Sequence, residues 1–212
     1  MYSGALELID ETPATSDARN AQFELVTAAS LHHAGIDVRP AEPDLKCRFG
    51  GMTFVVACKR VQVPQKLDRA YSDASHQIEK SKFFGFVSID MTCVFFATLY
   101  GGEAVKKSNA AKHCVFEIRG DPTARVLLEA LPAVDDDVRA SLWRMSDRVL
   151  GALNFLFAQT RSSAPIHFGT WRSSRLVPRM PQSDPKMRII RLLSSALSEG
   201  IASEERLMSG QP

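Results

Sequence analysis

Residues 35–61 read GIDVRPAEPDLKCRFGGMTFVVACKRV, and this stretch decides the fold. IDVRP has the character of a short strand closed by proline. In LKCRF (45–49) apolar and basic residues alternate, giving a strand one apolar face. The Gly50-Gly51 pair that follows suits a tight hairpin turn. TFVVAC (53–58) is then continuously apolar, as in a strand covered on both faces, and Lys59 and Arg60 lead it outward. The hairpin brings Asp44 and Lys59, near the open ends of its two strands, close together.

Upstream, Ser16 and Asp17 cap a helix on which Phe23, Val26 and Leu31 recur at helical spacing until Gly35 stops it. This helix carries Glu24. Downstream, Pro64 opens a helix through PQKLDRAYSDASHQIEKS, with Leu67, Ala70 or Tyr71, Ala74 and Ile78 as its apolar stripe. Its opposite stripe is Lys66, Arg69, Asp73, Gln77 and Lys80. FFGFVSID (83–90) reads as a strand, HCVFEIRG (113–120) as another, and Asp121-Pro122 as the start of a short helix. Asp135 to Asp137 place acids at the start of a long helix whose buried face is Val138, Leu142, Met145, Val149, Leu153 and Leu156. APIHFGTW (164–171) reads as a strand. A final amphipathic helix near Pro185 to Leu197, with Ile189 or Ile190, Leu193 and Leu197 inward, is docked on its own sheet or supplies the contact of a homodimer.

The expected organisation is an N-terminal arm over residues 1–16, an α/β domain over 17–178 with a mixed central sheet flanked by helices, and a C-terminal helix and tail over 179–212. Hydrophobic residues make up 45% and charged residues 24%, values that exclude a disordered chain. No apolar stretch is long enough to span a membrane and the N-terminus is acidic rather than basic, so the expectation is a cytoplasmic protein with no membrane partner. Four cysteines without close ligand spacing read as reduced, mostly buried thiols. Charge is uneven: residues 46–82 hold eight basic against three acidic residues, and residues 161–191 seven against one. Two basic segments suit one face for a polyanion. Nucleotide-binding and nucleophile-elbow glycine patterns are absent from the sequence.

The order helix, strand, hairpin, helix, strand, with Glu24 in the first helix, EPD at 42–44, ACKR at 57–60 and Gln77 in the next helix, resembles the core of the PD-(D/E)xK nucleases. The resemblance implies a restriction-endonuclease-like α/β core and Mg²⁺-dependent hydrolysis of phosphodiester bonds in DNA, with Mn²⁺ as a substitute. It assigns Asp44 to metal, Lys59 to the attacking water or the phosphate, Glu24 to metal or its water, and Gln77 to the same edge of the sheet. The resemblance makes the backbone carbonyl of Cys58 a candidate further ligand.

Ala57 stands where the family has an acid. Residues 57 and 59 share a strand face, so alanine there removes a carboxylate from the lysine's side. Asp73, one helical turn before Gln77, and Glu42, two residues before Asp44, are the candidate replacements. Arg60, Lys66, Arg69, Arg172 and Arg175 are the candidate phosphate contacts, the last two within the basic and aromatic run WRSSRLVPRM (171–180). The rival expectation is a degenerate nuclease-fold module that binds nucleic acid or a protein without cutting.

Overall fold

The computed structural model describes residues 17–61, 64–91, 138–161 and 168–209. The elements are α1 (Asp17–His33), β1 (Asp37–Pro40), β2 (Leu45–Phe49), β3 (Met52–Arg60), a 3-10 turn at Pro64–Lys66, α2 (Leu67–Ser81), β4 (Phe84–Asp90), β5 (Val149–Arg161), β6 (Phe168–Pro178) and α3 (Met187–Ser209). The six strands form one open mixed sheet in chain order, β1 to β6. β3, β4 and β5 run parallel, while the β1–β2, β2–β3 and β5–β6 pairs are antiparallel.

Local chemistry sets the ends of these elements. At the end of α1 the Gly35 N–H reaches the His32 carbonyl at 2.9 Å and the Ile36 N–H the Leu31 carbonyl at 3.1 Å, with Gly35 at φ +76. This is a Schellman stop, sealed by burial of Ile36 and Leu31 in one cluster. Gly50 and Gly51, at φ +55 and +80, close the β2–β3 hairpin with the twist-matched turn that two such angles allow.

Two apolar layers cover the sheet. On one face Val55 and Ala57 of β3, and Val61 just past its end, pack with Tyr71, Ala74 and Ile78 of α2 and with Val138 and Leu142 of a helical segment at 138–143. On the other, Phe54, Val56 and Cys58 pack with Phe23 and Leu31 of α1 and with Ile190, Leu193 and Leu197 of α3. The C-terminal helix is therefore part of this chain's own core and not a separate appendage. It starts and runs later than its expected span.

The long helix expected from Asp135 does not form as such: the described helical segment covers 138–143, and Val149 onward is strand β5. Every residue from Val149 to Phe155 is buried, because β5 has helices over both faces. A strand covered on both sides loses the alternation that identifies strands, and its apolar run mimics a helical stripe. The arm at 1–16, the strand expected at 113–120 and the helix expected at Asp121 lie outside the described residues. Among the described residues no helix is long and apolar enough to cross a membrane.

Candidate functional site

The site lies where β2 and β3 part. The antiparallel register ends with Leu45 opposite Val56 and would next bring Asp44 opposite Ala57 and Pro43 opposite Cys58. The chain turns there instead, with the Ala41 N–H on the Asp44 carbonyl at 3.1 Å, and the Asp44 side chain takes over the ladder: its Oδ2 accepts the Cys58 N–H at 2.6 Å. The Cys58 carbonyl lies on the same edge of β3, facing the register position of Pro43, a residue with no N–H to offer.

The charge of Lys59 acts on both Glu24 and Asp44, and that of Asp44 on Glu24. The Glu24 carboxyl is raised above its ordinary range by burial, then by the negative charge of Asp44, against the opposing pull of Lys59. Asp44 is raised by burial and by Glu42, and lowered by the Cys58 N–H and by Lys59. Two carboxyls that resist ionisation beside one lysine make a locus where added positive charge is favoured. Glu42 is exposed and its charge reaches Asp44.

Inside this pair lies a polar trio that sequence reasoning missed. Thr27 and Ser88 are both fully buried and their hydroxyls meet at 3.2 Å. The Cys58 thiol hydrogen-bonds with both, and burial, then Asp44, pushes its pKa up far enough to keep it protonated. The signal was available in part, since Thr27 is three residues beyond Glu24 and Ser88 alternates with the core residue Phe86.

Other expected residues fall elsewhere. Ala57 is 0% exposed and packs under α2, so the position where the resemblance expects an acid is filled core. Asp73 is turned to solvent on α2 and pairs with Arg69 at 3.7 Å, rather than joining Asp44 and Glu24. Gln77 is half-buried and its Oε1 is buried without a hydrogen-bond partner. Lys66 is exposed in the 3-10 turn. Arg60 is not the open phosphate contact expected of it: its side chain is 9% exposed and its Nε lies 3.5 Å from Oδ2 of Asp90, its register partner on β4. Arg172 and Arg175 lie in β6, with side chains outside the described residues.

Among the described residues no group of three or more His, Cys, Asp or Glu side chains is arranged to hold a metal ion. Two carboxylates and a backbone carbonyl remain, an all-oxygen set of the kind a cation that retains several waters accepts. No protein-family model, curated protein or solved structure matches the chain.

Proposed function

We propose that the chain is a PD-(D/E)xK-like, Mg²⁺-dependent nuclease that hydrolyses phosphodiester bonds, most directly those of DNA. The observation that carries this reading is the Asp44 carboxylate held on the Cys58 N–H at the fork of β2 and β3, beside the strand end that bears Lys59 and within electrostatic reach of Glu24. The order α1, β1, β2, β3, α2, β4, with β3 and β4 parallel, adds support at the level of the fold.

The donor set fits Mg²⁺, or Mn²⁺ in its place, because each carboxyl is destabilised as an anion by burial and by a neighbouring acid. When bound, the cation supplies charge stabilisation at the phosphate and acidifies a water. Asp44 and Glu24 would hold it, with the Cys58 carbonyl as a third oxygen and Glu42 as the nearest further acid. Lys59 would place positive charge against the phosphate as negative charge develops there. Lys66 and Arg69, exposed at the start of α2, would meet the polyanion.

The second reading, a binding module derived from a nuclease, is favoured by one observation: Ala57 is sealed under α2, which leaves the site one acid short. A cleavage assay on plasmid and linear DNA with Mg²⁺ and with Mn²⁺ separates the two. The nuclease reading predicts cleavage that falls at least 100-fold in both Asp44→Ala and Lys59→Ala. Retention of DNA binding with no cleavage by the wild type supports the module, and cleavage unchanged in both variants contradicts the assignment of the site.

A further inference from the structure

Burying a hydroxyl is costly unless it is hydrogen-bonded, and an apolar pair of equal shape serves stability as well. Thr27 and Ser88 are nevertheless both 0% exposed, 3.2 Å apart, within a cluster otherwise built from Phe23, Leu31, Phe54, Phe86 and Phe155. The apolar contacts of α1, among them the edge-on Phe23–Phe155 pair at 5.7 Å, are non-directional and tolerate rotation of the helix. A hydrogen bond between two fixed backbones is directional. Glu24 sits one turn from Thr27 on the same face of α1, and Ser88 stands opposite Cys58 in the β3–β4 register, next to the residue whose N–H holds Asp44.

We infer that Thr27 is a positioning residue: its hydrogen bond to Ser88 fixes the rotation of α1 and thereby holds Glu24 against Asp44. This rests on the reading of Glu24 and Asp44 as a cation site. The Cys58 thiol, bonded to both hydroxyls, ties the same point of α1 to the strand that carries Lys59. Outer residues that orient ligands are typically worth about 10–100-fold in metal affinity.

The test uses the full chain with Mn²⁺ as the only ligand. Thr27→Val keeps the shape of the side chain and removes the hydroxyl, and Thr27→Ser restores it. The expected result is a melting temperature within about 3 °C of wild type for Thr27→Val, Mn²⁺ affinity reduced by about tenfold or more, and wild-type affinity in Thr27→Ser. A crystal structure of Thr27→Val should show Glu24 displaced from Asp44. Unchanged Mn²⁺ affinity in Thr27→Val, where Asp44→Ala abolishes binding, overturns the positioning role and leaves the site reading intact. Unchanged affinity in Asp44→Ala overturns both. Glu24 unmoved in the Thr27→Val crystal overturns the positioning role whatever the ligand does.

Discussion

At the scale of single residues, Asp44 does two jobs that pull against each other. It completes the β3 ladder by accepting the Cys58 N–H, and it sits partly buried beside Glu24 and Glu42. A carboxyl whose folded-state pKa is raised contributes stability that is full below its unfolded value and is lost as pH rises through the folded value. For Asp44 and Glu24, with ordinary values of 3.8 and 4.5, the fold should therefore lose stability as pH climbs from about 4 toward neutrality. Asp44→Asn keeps an acceptor for Cys58 and removes the charge, so it should melt higher than wild type at pH 7. Thermal melts of wild type and variant at pH 4 and pH 7 check this: the wild type should melt lower at pH 7 than at pH 4, and a variant that melts below wild type at pH 7 would mean that the charge is stabilising. Ala57→Glu tests the neighbouring position. Placing an acid there buries it against Tyr71 and Ala74, and the expected loss is about 3 kcal/mol or more in urea unfolding, with no gain in Mn²⁺ affinity.

At the scale of elements, what was legible in the sequence was whatever kept its period or its punctuation. The β2–β3 hairpin declared itself through Gly50-Gly51, and α2 through its apolar stripe, which the structure places at Tyr71, Ala74 and Ile78 with Ser75 added. The hairpin alone carried the expectation that Asp44 and Lys59 lie near each other. β5 was illegible because burial on both faces erases alternation, and Val149, Leu153 and Leu156 happen to fall at helical spacing. The Arg60–Asp90 pair was hidden for a different reason, since it depends on the parallel register of β3 and β4, which no local pattern encodes. Gly151 gives β5 a direct test. A Cβ there would collide with the Val177 carbonyl oxygen and come within 3.1 Å of the Pro178 Cα on β6. Gly151→Ala should cost about 1–3 kcal/mol by forcing β5 and β6 apart. A helix at this position would instead gain stability from the same change, so the sign of the shift in the denaturation midpoint decides.

At the scale of the whole molecule, α1 and α3 lie on one face of the sheet and α2 on the other, and the Asp44 carboxylate holds the Cys58 N–H at the edge where β2 leaves β3. Met187, Ile190, Leu193 and Leu197 are all buried, so α3 covers the same layer that seats α1. A chain ending at Pro185 should expose that layer, bind a hydrophobic dye and lose its cooperative melt; a sharp melt with no dye binding would show that α3 is dispensable. The site depends on this packing because Glu24 arrives on α1 while Asp44 and Lys59 arrive on the hairpin. The most direct measurement is anomalous scattering from crystals soaked in Mn²⁺. The account predicts a peak in contact with the carboxylates of both Asp44 and Glu24, absent in Asp44→Ala; a peak elsewhere, or none at these two residues in the wild type, would contradict it.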